Sequence, residues 1–176
     1  FLESRASITA ATTLLRGLTR HADTTLQALW ALHRMPPGSA LVGVGGYGRG
    51  ELFPYSDIDV LVLLPEGAPT EGVEAFITAC WDTGLEIGSS VRTVADCVAE
   101  AQRDVTVQTA LLESRPIAGT RKTFNDFRRA TEAALDHAAL LRAKTLEMQQ
   151  RHVKYENTPY ALEPNCKESP GGLRDL

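Results

Sequence analysis

The chain has 176 residues, 43% of them hydrophobic and 23% charged, and its 18 Lys and Arg against 22 Asp and Glu give a formal charge of −4. This composition suits a soluble globular domain with a core of its own and excludes disordered, collagen-like and fibrous chains. The mildly acidic balance speaks against a non-specific nucleic-acid binder, and the longest apolar run, Val60 to Leu64, falls far short of the roughly 18–20 residues that span a bilayer.

Residues 7–34 read as helix, with Ile8, Ala11, Leu15 and Leu18 on one face and Leu26, Leu29, Trp30 and His33 on another. Gly17 or His21-Ala22-Asp23 is a possible break, and Pro36-Pro37-Gly38 ends the helix. Ala40 to Val44 is a short apolar strand leading into Gly45-Gly46-Tyr47-Gly48-Arg49-Gly50, whose glycines free the backbone for unusual dihedrals. Asp57 to Leu64 is a β-branched run stopped by Pro65. Glu71 to Thr83 reads as helix: Val73, Phe76, Ile77, Cys80 and Trp81 share a face and Gly84 stands at the cap position. Leu85 to Arg92 alternates like a strand, and Thr93 with Asp96 opens another helix as a capping box. Val105 to Arg115 leans to helix, residues 123–152 read as one helix, and from Tyr155 onward prolines and Gly171-Gly172 deny regular structure. Cys80, Cys97 and Cys166 are odd in number and form no CxxC pair, which favours reduced thiols and a cytoplasmic location over disulfides or a zinc site.

The stretch from Val42 to Leu64 carries the chemistry. Alternate residues of a strand share a face, so Asp57 and Asp59 project together, and two like charges so placed call for a cation between them. Hard carboxylate oxygens in that number suit Mg²⁺ or Mn²⁺, bound together with substrate phosphates. The Gly45-Gly46 turn, eleven positions before Asp57, lets main-chain amides approach a phosphate closely. Ser56 adds a hydroxyl and Arg49 a donor fork. A phosphate cradle beside a metal-binding acid pair equips a site for in-line nucleotidyl or phosphoryl transfer. Gly43-Val44-Gly45-Gly46-Tyr47-Gly48 also fits the dinucleotide G-x-G-x-x-G pattern. That reading fails because Gly50 and Pro54 curtail the required helix and the acids come as a pair at the start of the next strand. A P-loop fails because no Lys-Ser or Lys-Thr follows the last glycine. As bland structure, the glycines are only a turn and the acids only a solvated strand end; the two features together at this spacing make that reading the poorer one.

Gly45 to Leu52 with Pro54 to Asp59 resembles the nucleotidyltransferase domain of the PII uridylyltransferase/uridylyl-removing family, within the DNA-polymerase-beta-like superfamily. Leu85 to Thr93, Leu112 to Arg115 and Leu162 to Asp175 resemble further stretches of that family. The resemblance implies an α+β fold: a small mixed sheet flanked by helices, with helical segments at both ends. The expected layout is an N-terminal helical segment at 1–38, a nucleotidyltransferase core at 39–120, and a helical and irregular extension at 121–176 of a longer protein. It implies transfer of UMP from UTP to a tyrosine of the PII signal-transduction protein, with release of pyrophosphate. By motif, Gly45 and Gly46 hold the triphosphate, while Asp57 and Asp59 coordinate the metals. Such sites generally use three acids; Glu86 and Asp104 both qualify, Asp104 being the residue added to the metal set. Arg92, ending a strand, is expected to neutralise phosphate, and Lys167 and Arg174 are weaker candidates. The family's HD phosphohydrolase and glutamine-sensing ACT domains are expected outside this segment, where none of His21, His33, His137 and His152 is followed by Asp. Adenylylation of a PII-type protein from ATP, and a regulatory nucleotide-binding module without catalysis, are the alternatives. No nucleic-acid or membrane partner is expected.

Overall fold

In the computed structural model, which describes residues 8–175, the chain divides into two compact units, 1–134 and 135–176. The first is built on a four-stranded sheet in the order β3-β2-β1-β4, from β1 (Ala40–Gly43), β2 (Ile58–Leu63), β3 (Ile87–Arg92) and β4 (Arg115–Gly119). β1 runs antiparallel to both β2 and β4, whereas β2 and β3 are parallel and joined through helix α3 (Glu71–Asp82), so the sheet is mixed and the fold α+β.

Helix α1 (Ile8–Leu32) is unbroken: Thr19, Ala22 and Leu26 continue one buried stripe through His21-Ala22-Asp23, and Gly17 falls on the exposed side. Gly17 inside it is exposed with open space around it, at a cost of about 1 kcal/mol relative to Ala. Ser7, where the sequence places the helix start, lies outside the described residues. α1 and α3 cover one face of the sheet, packing Ala22, Leu26, Val73, Phe76 and Cys80 on Leu41, Ile58, Val60 and Val62. Trp81, expected on the buried face of α3, is 59% exposed because it falls at the margin of the stripe centred on Val73, Phe76 and Cys80. Helices α4 (Val94–Arg103), α5 (Val105–Leu112) and α6 (Arg121–Ala133) cover the other face. There Cys97, Leu111, Phe124 and Phe127 meet Ala40, Val42, Leu61 and Leu63. β2 is thus buried on both faces, which accounts for its continuous apolar run.

Thr93 and Asp96 form the capping box that starts α4. The helix expected over 105–115 ends at Leu112, and Arg115 opens strand β4, an element the sequence reading did not contain. β4 is an edge strand with Pro116 opposite Val42 beside an irregularity in register, positions where proline costs little ladder bonding.

The single helix expected over 123–152 is two helices, α6 and α7 (His137–Lys154), because the Asp136 carboxylate accepts from Ala139 N at 2.9 Å and caps a new start. In this second unit a 3₁₀ turn at Leu173–Asp175 closes the irregular segment against α7. The Asp175 carboxylate accepts from Gly171 N at 2.8 Å, pairs with Arg151 and lies 2.8 Å from His152 Nε2. Arg174 pairs with Glu168. No helix among the described residues is long and apolar enough to cross a membrane.

Candidate active site

The glycine-rich turn folds as one short helical turn, α2 (Gly45–Gly48), directly after β1. The antiparallel register carries one residue past β1, so Val44 N donates to Asp59 O at 3.0 Å and the turn begins abreast of Asp59. Gly45 adopts φ +57°, a left-handed conformation that favours glycine.

Parity along β2 sends Asp59, Leu61 and Leu63 to one face and Ile58, Val60 and Val62 to the other. Asp59 is the single acid in the strand, half-buried at the mouth of the α4–α6 layer. Its carboxylate lies in a slot between two glycines. A Cβ on Gly45 would stand 3.7 Å from Asp59 Oδ2, and a Cβ on Gly88, its register partner in β3, would stand 2.5 Å from Oδ1. Burial, and then the negative charge of Asp57, raise the Asp59 pKa above the ordinary carboxylate value. Asp57 precedes β2 and is exposed, as is Ser56. Asp59 therefore feels the charge of Asp57 and favours a proton or a cation over a bare charge.

The remaining candidates are placed unequally. Arg49 follows α2, with Nη2 within 3.7 Å of where a Gly46 Cβ would be, and it pairs with Glu113 at the end of α5. Glu86 comes abreast of Asp57: Ile58 N donates to Glu86 O at 2.8 Å, one step before the Ile58–Ile87 pairing. Asp104 lies between α4 and α5 and spends its carboxylate as a helix cap, accepting from Thr106 N at 2.7 Å. Among the described residues no third carboxylate, histidine or cysteine groups with the pair closely enough to hold a metal ion. Arg92 is not brought to the pair. It sits opposite Leu63 while Gly88 sits opposite Asp59, about 13 Å away along the strand. There it faces Asp96 and Cys97 at the start of α4.

The sequence reading passed over the residues that hold the turn. Tyr47 is 2% exposed, and its hydroxyl donates to Asp23 on α1. Arg115 of β4 grips the same carboxylate through two bonds, at 2.8 and 3.0 Å, and lies 5.2 Å from the Tyr47 ring centroid. Burial, and then Asp23, push the Tyr47 phenol far above its usual range, so it stays a donor. Thr19 Oγ accepts from Leu52 N at 2.9 Å and lies 3.0 Å from Gly50 O. Gly48 is pressed against the end of α5: a Cβ there would stand 1.6 Å from Glu113 O. A lone aromatic amid four glycines was the one available hint.

The family profile described as "Nucleotidyltransferase domain" matches residues 27–155, and that of "GlnD PII-uridylyltransferase" matches residues 139–176. The chain is 60% identical to a bifunctional uridylyltransferase/uridylyl-removing enzyme of Cupriavidus pinatubonensis, over 93% of this chain and 19% of that protein. A protein of the same name from Burkholderia vietnamiensis is 55% identical over 99% of this chain and 21% of its own length. The chain thus spans about a fifth of these relatives. A crystal structure of a toxin–antitoxin with AMP-PNP aligns over 77% of this chain and 96% of that one, at 15% identity and a TM-score of 0.37. With a profile match across most of its length and a diglycine turn set against an Asp-x-Asp pair at the start of β2, the chain belongs to the nucleotidyltransferase domain family.

Proposed function

We propose that this chain carries the transferring site of a cytoplasmic PII uridylyltransferase, moving UMP from UTP to a tyrosine hydroxyl of a PII-type protein. The observation that carries this reading is the Asp59 carboxylate lodged between Gly45 and Gly88 with Asp57 beside it. An acid half-buried there is costly unless it meets a cation. The donor set fits Mg²⁺ or Mn²⁺, being carboxylate oxygens opening toward a turn that can take phosphate. When bound, the divalent ion supplies charge neutralisation on the triphosphate and polarises the phosphoryl group under attack.

Asp57 and Asp59 would hold that ion. Of the two candidates for a third acid, Glu86 is the nearer in register, abreast of Asp57, while Asp104 is engaged at a helix start; neither carboxylate groups with the pair, so a Glu86 contribution requires its side chain to swing in when the ion binds. Gly45 and Gly46 present first-turn amides, which lack intrahelical acceptors, to the phosphates. Arg49 adds its guanidinium over the turn, and Ser56 its hydroxyl. The tyrosine hydroxyl gives its proton to solvent as its oxygen forms a bond to the α-phosphorus, the α–β bridging bond breaks, and pyrophosphate leaves. The printed name of the relatives supports uridylyl as the transferred group, and their length leaves room for removal and sensing domains beyond this chain.

Incubating the chain with PII protein, Mg²⁺ and labelled UTP or ATP tests the proposal. Labelled UMP on PII, lost in Asp57→Asn with Asp59→Asn, is expected. Label from ATP alone refutes the choice of nucleotide, and Mn²⁺·UTP binding that survives the double substitution refutes the metal site. Glu86→Gln is expected to weaken Mn²⁺ binding more than Asp104→Asn.

A further inference from the structure

The diglycine turn is not held by its own main-chain bonds alone, which run from Gly48 N to Val44 O and from Gly50 N to Tyr47 O at 3.1 Å. Two polar side chains of α1 reach it, at points 4 residues apart on one face of the helix. Thr19, 6% exposed, closes the far end of the loop by accepting from Leu52 N and standing within bonding distance of Gly50 O. Asp23 holds the near end through the Tyr47 hydroxyl and is itself locked by the fork of Arg115. Arg115 Nη2 also lies 3.4 Å from Tyr47 O, so one guanidinium ties α1, the turn and β4 together. Both Thr19 and Asp23 precede residue 27, where the nucleotidyltransferase match begins.

We infer that α1 is part of the nucleotide site: Thr19 and Asp23 are positioning residues that set the Gly45–Leu52 loop against Asp59. This rests on the function proposed above. The physical need is clear from the composition of the loop. Gly45, Gly46, Gly48 and Gly50 leave its backbone with many conformations. A phosphate seat made of main-chain amides works only if those amides are already aimed. Tyr47 and the Leu52 amide are the handles by which a loop so rich in glycine can be gripped from outside. Arg115 in turn ties the carboxylate of α1 to the edge strand, so the grip does not depend on the helix alone.

Thr19→Val keeps the shape of the side chain and removes both loop contacts. Hydrogen exchange in the nucleotide-free chain is expected to speed up roughly ten-fold at the Leu52 amide and its loop, with the sheet unaffected. The Mn²⁺·UTP dissociation constant is expected to rise roughly ten-fold. Thr19→Ser, which retains the hydroxyl, restores both. Asp23→Asn is expected to weaken Mn²⁺·UTP binding in the same direction. Wild-type exchange and affinity in Thr19→Val overturn the inference, as does faster exchange spread evenly over all elements, which marks plain destabilisation. A wild-type chain that binds no Mn²⁺·UTP sinks the functional reading and the nucleotide half of this one; the exchange data still decide whether α1 grips the loop.

Discussion

Replacing Gly88 by Ala separates the site from the fold. The new Cβ would lie 2.5 Å from Asp59 Oδ1, where a carbon–oxygen contact settles at roughly 3.3 Å or more, so the carboxylate must move by about 0.8 Å. The carboxylate is the far end of a flexible side chain and gives way by rotating off its rotamer. That costs about 0.5–1.5 kcal/mol. Gly88 has no positive φ, so Ala also reduces the freedom of the unfolded chain and returns about 0.4–1 kcal/mol. The two nearly cancel, and the melting temperature is expected to fall by no more than about 4 °C for a domain of this size. With Asp59 in the metal-holding role proposed above, a displacement approaching 1 Å is expected to cost up to about 100-fold in transfer rate. Calorimetry and Mn²⁺ titration read stability and site separately. A Gly88→Ala protein with undiminished Mn²⁺ affinity and transfer rate refutes the slot; one that no longer folds refutes the partition.

Gly48→Ala is the opposite case: its Cβ would fall 1.6 Å from the main-chain oxygen of Glu113, which cannot swing aside, so a large loss of melting temperature is expected by calorimetry. Asp59→Asn removes a carboxyl whose folded-state pKa is raised by burial and by Asp57. A raised carboxyl favours folding at low pH and loses that stability as pH rises through its folded value, so at neutral pH and without metal the Asp59→Asn variant is expected to melt higher than the wild type. The effect is small because the group is partly solvated. The metal-free wild type is expected to lose stability as pH rises above the ordinary carboxylate range, and added Mn²⁺ to reverse the trend. Asp175 shows the opposite sign. The Gly171 amide, then Arg151 and His152, hold its pKa below the usual range. The stability it adds is present above that range and lost on acidification, so protease cleavage between Tyr155 and Gly172 is expected to quicken as pH falls below about 4.

Patterns confined to a few neighbouring residues were readable from the chain alone. The apolar stripe of α3, the capping box at Thr93 and the apolar run of β2 are local matters, since a helix or strand repeats every few residues and its caps sit at its ends. The diglycine turn and the Asp-x-Asp pair were legible for the same reason. β4 was not, because five residues containing a proline and a glycine become a strand only when β1 offers an edge. The parallel pairing of β2 with β3 brings Gly88 to Asp59, sets Glu86 abreast of Asp57 and carries Arg92 to the far end of the sheet. No spacing along the chain encodes that register, since it follows from how α3 returns the chain to the sheet. The grip of Thr19 and Asp23 on a loop 33 and 24 residues later is likewise a product of α1 lying across that face. Hydrogen bonds between distant segments depend on which surfaces meet, and packing of the whole core selects those surfaces.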